Sequence, residues 1–394
     1  MSLDEAVELP QPALGQAVER RGWARRRLVD FVGVLTDPLF RTWVRWWAVA
    51  VWAVAFAHTC YYEGIPFDRE GLLLWLVAGA AAITFGKRAL WTVAVDWLPF
   101  AAVLIAYDYA RGAADSLGMP TWWSPQITID KALFGGVEPT IWLQEHFRYA
   151  AARSWDAAVC LVYISFFFLP YVTAAVLWVR SRRDFRRWAA RFVTLSFLGF
   201  GLFALFPAAP PWAAALCTSA QVAGHPSAPS CMFSRSALVR NGGLLGPVRH
   251  VQAGAPPWIE RLSSRGWSML HLREAGVILH KGQGTVDVVA AVPSLHAGGT
   301  MLFTLFMWRR VRVWWRAVLV AYVLAMAIAL VYAAEHYVAD ILAGWLLAAL
   351  VMWGFARWES RRSGHAPPDT LKPVPAASLL ESPCPPIATT PSSI

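Results

Sequence analysis

A chain of 394 residues that is 57% hydrophobic and carries 23 tryptophans is not composed like a soluble protein of that size, and tryptophan enrichment marks a bilayer interface. The formal charge of +10 comes from short arginine clusters set between apolar runs rather than from one basic face. That placement excludes a nucleic-acid-binding reading and favours a membrane protein whose basic loops lie against cytoplasm and anionic lipid.

The first forty residues are polar, with Pro10 and Pro12, and lack the apolar core of a cleavable signal peptide. They read as a cytoplasmic segment with an arginine-bearing interfacial stretch. Eight apolar runs of about spanning length follow, at 43–60, 70–86, 89–107, 157–179, 189–206, 292–308, 317–335 and 341–356. Arginines and lysines occupy every second connection: Lys87 and Arg88, then Arg180 to Arg187, then Arg309 to Arg316, with Arg357, Arg361 and Arg362 after the last run. This alternation predicts eight transmembrane helices with both termini in the cytoplasm.

The remaining connections, 61–69, 108–156, 207–291 and 335–340, are then external. Within 122–148, three tryptophans (Trp122, Trp123, Trp142) and a helix-like stretch Pro139–Arg148 predict a helix at headgroup level. The segment 207–291 is too long for a plain connector and reads as a partly ordered cap containing Trp212, Trp258 and Trp267. Cys217 and Cys231 share this exported loop, where a disulfide is expected. The five cysteines show no metal-ligand spacing. The tail is rich in Pro, Ser and Ala and is predicted to be disordered. The expected organisation is an interfacial segment 1–42, two accessory helices in 43–88, a catalytic membrane domain 89–357 and a tail 358–394.

Two external segments carry chemistry. His336 and Asp340 are spaced i, i+4 and would share one helix face. A carboxylate within reach of one imidazole nitrogen fixes the tautomer and directs the other nitrogen as a nucleophile. The bland reading is an interfacial His and Asp solvated by headgroups. His296 follows Pro293 and Ser294 at the start of the sixth run, where a helix amino terminus offers N–H groups to a phosphate. His296 is placed to donate a proton to a leaving oxygen, and Ser294 to contribute donors. Asp96 inside the third run is costly to bury. A proton relay of His336, Asp340 and Asp96 in a transporter is therefore also open, although the first two cluster at one membrane face rather than at the midplane.

The stretches Pro293-Ser294-Leu295-His296-Ala297-Gly298 and Glu335-His336-Tyr337-Val338-Ala339-Asp340 resemble the second and third signature motifs of the type 2 phosphatidic acid phosphatase superfamily. The closer resemblance is to its aureobasidin-resistance, inositol phosphorylceramide synthase-like branch, which has Leu where lipid phosphatases usually have Gly before the motif-two His, as Leu295 is here. Phe206-Pro207-Ala208-Ala209-Pro210-Pro211-Trp212 and Ile129-Asp130-Lys131-Ala132-Leu133-Phe134-Gly135 are similar to further segments of that branch. The likeness runs from about Asp96 to Trp345.

The resemblance implies an all-α polytopic enzyme with a six-helix catalytic bundle that works without metal or cofactor. His336 would attack the lipid phosphate and form a phosphohistidine, Asp340 would hold it, and His296 would serve as acid and then base. The partners implied are a phospholipid donor, with phosphoinositol as the leading headgroup, and a lipid or glycan alcohol acceptor. Hydrolysis of a lipid or polyprenyl phosphate is the alternative. The expected location is a bacterial plasma membrane with the site on the outer face. One departure stands out: phosphatase members have Arg six residues before the motif-three His, where this chain has Leu330, and their first motif is absent in that form. Another cation must neutralise the oxyanion; Arg111 is the first candidate, Lys281 the second, with Arg249 and Arg273 behind.

Overall fold

The computed structural model describes residues 37–64, 66, 69–112, 117–233, 242–270 and 289–363, and its regular structure is helical throughout, with two isolated β-bridges and no strand among the described residues. The α-helices in chain order are α1 (Pro38–Tyr62), α2 (Arg69–Thr84), α3 (Leu90–Gly112), α4 (Pro125–Leu133), α5 (Pro139–Phe147), α6 (Ser154–Arg180), α7 (Arg182–Leu205), the single turn α8 (Pro211–Ala214), α9 (Leu295–Met307), α10 (Val313–Tyr332) and α11 (Val338–Ser363). Each of the eight apolar runs falls on one of these helices. The protein is an all-α, polytopic membrane protein. Four helices (α6, α7, α10 and α11) are long and apolar enough to cross a bilayer by themselves, and shorter apolar helices occupy 70–84, 91–107 and 295–307. The last turns of α11, from Gly354, belong to a second unit covering 354–394.

The sixth run departs from expectation. Its helix starts at Leu295 rather than 292 and has 13 residues, a rise of about 20 Å against the roughly 30 Å of a hydrocarbon core. Pro293 and Ser294 explain this. Ser294 stands as N-cap, its hydroxyl oxygen accepting the Ala297 N–H at 3.3 Å, so the chain before it is not helical.

Helix α6 is the hub, packing against α2, α7, α9 and α10. Around it Cys160, Tyr163, Ile164, Ala297, Met326, Leu330, Val331 and Ile341 form one buried apolar cluster. Leu330, at the position of the superfamily arginine, is fully buried there. At the arginine-rich end, Asp96 of α3 accepts hydrogen bonds from Trp178 at 2.9 Å, Arg182 at 2.8 Å and Arg186 at 3.0 Å. Arg310 meets Asp184 at 3.1 Å, tying the α9–α10 turn to the start of α7. Asp96 is thus an ion-paired clasp between helices. The length of α7, on the order of 36 Å for its 24 residues, separates that clasp from the chain reaching the histidines, and a relay joining Asp96 to His336 has no support in this arrangement.

The opposite end is covered. The segment 122–148 holds two short helices, α4 and α5, each opened by a proline at its first turn. The cap over them is pinned at many points. Cys217 and Cys231 are disulfide-bonded, with Trp123 packed into the cluster that contains them. Gln144 of α5 donates to the Glu260 carbonyl at 2.7 Å and accepts the Glu260 N–H at 3.0 Å. The buried Arg148 pairs with Glu260 at 3.1 Å, and the 3-10 turn Arg265–Ser268 presses Gly266 against the backbone of Asp156 and Ala157.

Candidate active site

Two helix ends and one turn build the site. α10 closes with the Ala334 N–H bonded to the Val331 carbonyl at 3.1 Å and the Glu335 N–H to the Leu330 carbonyl at 3.0 Å. This is the Schellman pattern, but its left-handed residue is Ala334, at φ +59°, instead of glycine. A left-handed alanine costs about 1–2 kcal/mol, and its burial among Ile127, Ala214 and Tyr337 holds it there. The reversal turns Glu335 and His336 back over the bundle and starts α11 two residues later.

The amino end of α11 is capped from another element. Asp130 of α4, fully buried, accepts the N–H groups of Val338 and Ala339, each at 2.8 Å. Both carboxylate oxygens therefore satisfy orphan donors of the helix carrying Asp340. Burial pushes the Asp130 carboxyl up to about 6, against the lowering effect of these two bonds. Glu138, likewise buried and capping α5 through the Ile141 N–H at 2.7 Å, is pushed up to about 7.

His336 is almost buried. Its Nδ1 lies 3.0 Å from the Ala291 carbonyl and 3.5 Å from Asp340 Oδ2. A carbonyl only accepts, so the proton is assigned to Nδ1 and Nε2 carries the lone pair. The nearer orienting group is a backbone oxygen; Asp340 stands behind it. Asp340 is fully buried, accepts the Tyr337 N–H at 2.9 Å, and through its own carbonyl takes the Ser294 N–H at 2.9 Å. That last bond ties the start of α9 to the start of α11. The two helices meet there at glycines: a Cβ on Gly344 would lie 2.2 Å from the Ser294 carbonyl oxygen, and one on Gly298 would lie 3.0 Å from the Gly344 oxygen.

The crossing sets His296 beside His336, with ring centroids 5.6 Å apart. Tyr163 stacks on His296 at 4.8 Å and Phe166 and Phe167 enclose it at 4.2 and 5.6 Å. Tyr163 is nine residues into α6, about 14 Å along the helix axis. The imidazoles thus sit recessed below the cap, where the low dielectric strengthens every charge interaction.

Of the other residues singled out by sequence, Ser294 is buried and spends its N–H on Asp340 and its hydroxyl oxygen on Ala297. Arg111 lies in the last turn of α3, but its side chain lies outside the described residues, as do Lys281 and Arg273 entirely. Arg249 contributes its backbone N–H to Glu145 at 2.5 Å. Sequence reasoning passed over a different cation. Arg261, in the cap, forms a two-pronged ion pair with Glu335, Nε to Oε1 at 2.8 Å and Nη2 to Oε2 at 2.9 Å, and stacks over Trp212 at 5.0 Å. The sequence signal was Glu335 itself, a charge beside His336 that asks for a partner. Among the described residues no group of three His, Cys, Asp or Glu side chains is arranged to hold a metal ion.

Residues 127–354, from α4 through most of α11, match the PAP2 superfamily. The chain belongs to that superfamily. It is also similar to a protein named phosphoinositol dihydroceramide synthase from Bacteroides thetaiotaomicron, 25% identical over 270 residues that span 67% of this chain and 76% of that one. No solved structure matches the chain. The protein is accordingly a multi-pass membrane enzyme of the lipid phosphatase and phosphotransferase class.

Proposed function

We propose that this enzyme moves a phosphoinositol-type headgroup from a phospholipid to an alcohol acceptor through a covalent intermediate on His336. The observation that carries the reading is the pairing of the two imidazoles, 5.6 Å between centroids, in a recess under a fastened cap. That spacing lets one phosphate be met at phosphorus by His336 and at an ester oxygen by His296. In the first half-reaction the His336 Nε2 lone pair forms the N–P bond while the bond from phosphorus to the glyceride oxygen breaks. His296 gives its proton to the departing alkoxide, and a diacylglycerol leaves. In the second half an acceptor hydroxyl loses its proton to His296 and attacks phosphorus, the N–P bond breaks, and both imidazoles return to their starting state.

Asp340 and the Ala291 carbonyl together favour the imidazolium-like charge that develops on His336. The charge of the arginine loops 180–187 and 309–316 supports reading their end of the bundle as cytoplasmic, and with it a site on the outer face of a bacterial plasma membrane. Transfer is favoured over hydrolysis by the cap, since excluding water leaves the organic hydroxyl as the second nucleophile, and by the name of the Bacteroides relative. Purified protein given headgroup-labelled phosphatidylinositol, with and without a long-chain alcohol, tests this. Label on a new lipid, formed only with acceptor and absent in His336→Ala, is the expected result. Inorganic phosphate released from phosphatidic acid or polyprenyl phosphate, with no transfer, would replace the proposal with hydrolysis.

A further inference from the structure

We propose that Arg261 binds the phosphoryl oxygens during the reaction, and that Glu335 tunes its charge so that the site selects singly charged phosphodiesters over doubly charged phosphomonoesters. The inference rests on the phosphoryl-transfer reading above and adds the cation and the substrate class.

Position comes first. Glu335 precedes the nucleophile His336 in the chain and grips Arg261 through both carboxylate oxygens. Tyr163, which stacks on the other imidazole, hydrogen-bonds the same guanidinium. Arg261 is thus bonded on one side to the segment of His336 and on the other to the ring against His296. Arg265, another described arginine of the cap, is engaged elsewhere, with the Tyr149 and Ala150 carbonyls and Glu260.

The guanidinium is also held rigidly. Its neighbour Glu260 is locked to Gln144 and Arg148, and the Leu262 N–H donates to the Ala333 carbonyl at 3.1 Å, at the base of the catalytic turn. Trp212 supports the guanidinium plane from its face, while the Trp212 N–H fixes the Ala334 carbonyl at 3.0 Å. A donor set in this way costs no reorganisation when charge develops. Of the five N–H groups on an arginine, Glu335 takes two, so the guanidinium keeps donors for an anion. The side chain stays about a third exposed, open to a ligand.

Charge then decides the class. The Arg261–Glu335 pair is neutral in sum, so it offers directed N–H donors with little net attraction. A diester phosphate carries one negative charge, whereas a monoester carries close to two at neutral pH. In a recess of low dielectric the nearby Glu335 carboxylate penalises the second charge. Diester lipids are therefore the preferred donors, which fits headgroup transfer better than removal of a terminal phosphate.

The test uses full-length protein in detergent, with turnover of the labelled diester lipid, inhibition by inorganic phosphate, and the variants Arg261→Ala, Arg261→Lys and Glu335→Gln. Arg261→Ala should lose about 10²–10³-fold in kcat, recovered in part by millimolar guanidinium; Arg261→Lys should stay well below wild type because a lysine cannot reproduce the fork. Glu335→Gln should bind inorganic phosphate about tenfold more tightly and gain relative activity on phosphatidic acid, an outcome that a merely structural pair would not produce. If Arg261→Ala does not fold, Arg261→Lys and Glu335→Gln carry the same test. Arg261→Ala or Arg261→Lys working within threefold of wild type, or Glu335→Gln with phosphate inhibition unchanged or weakened, overturns the proposal. A wild-type protein with no turnover of any phosphoester would overturn the functional reading and this one together, so the two failures are told apart.

Discussion

Gly344→Ala probes the joint that sets the two histidines side by side. An added Cβ would fall 2.2 Å from the Ser294 carbonyl oxygen, 3.2 Å from its carbon and 3.1 Å from the Gly298 nitrogen. All three are backbone atoms, which have no rotamer to escape into. Restoring van der Waals distance requires the start of α9 to retreat from α11 by roughly 1 Å. The Ser294 N–H bond to the Asp340 carbonyl, now 2.9 Å, would stretch by a similar amount, and His296 would move away from His336. Overpacking of this kind costs about 1–3 kcal/mol in stability, and an ångström of misplacement costs on the order of 10²-fold in rate. The assay is kcat on the labelled phospholipid, beside size-exclusion elution and melting temperature in detergent. Gly201→Ala is the control, because a Cβ there meets nothing within 4 Å and should leave kcat unchanged. A Gly344→Ala enzyme within threefold of wild type would refute the argument that this crossing positions the imidazoles.

Removing the cap of α11 should act in the same direction. Asp130→Ala leaves the Val338 and Ala339 N–H groups without their acceptor, a loss of about 0.5–2 kcal/mol with a fall in kcat, and Asp130→Asn should recover part of both; an unchanged kcat in Asp130→Ala would separate the cap from catalysis. The buried carboxyls also set a pH dependence of stability. Asp130 and Glu138 are raised from 3.8 and 4.5 to about 6 and about 7, so the folded chain holds these protons more tightly than the unfolded one. Their contribution is present at acid pH and is lost as pH rises through about 6 and about 7. The melting temperature in detergent should therefore fall between pH 5 and pH 7.5, with a flatter profile in Asp130→Asn combined with Glu138→Gln. A wild-type melting temperature that rises over that interval would contradict the sign.

Much of this was legible in the sequence because bilayer physics writes in long strokes. Each apolar run became a helix, and Pro139 opened α5 where its position suggested, the helix ending at Phe147, one residue short of expectation. The shortness of α9 was legible too, in Pro293 and Ser294, but hydropathy blurred the start by counting Val292. The two histidines and Asp340 come together because their motifs flank neighbouring helix ends. What stayed hidden depends on backbone and on long-range return of the chain. The Ala291 carbonyl that orients His336 has no side-chain identity to read. Asp130 stood in a recognised stretch, yet its two bonds reach residues 208 and 209 positions away. Arg261 was passed over for Arg111 and Lys281 because nothing in residues 207–291 foretells which arginine folds back onto Glu335, 74 positions on.

The central claim is a covalent bond between phosphorus and His336, and single-turnover trapping addresses it directly. Excess enzyme is mixed with phosphatidylinositol labelled in the inositol ring, without acceptor, and quenched in alkali, where phosphohistidine survives. Protein-bound label that maps to His336, disappears on adding the alcohol acceptor and is absent in His336→Ala is the result this account predicts. Rapid turnover with no label on the protein, or label that persists in His336→Ala, would contradict it.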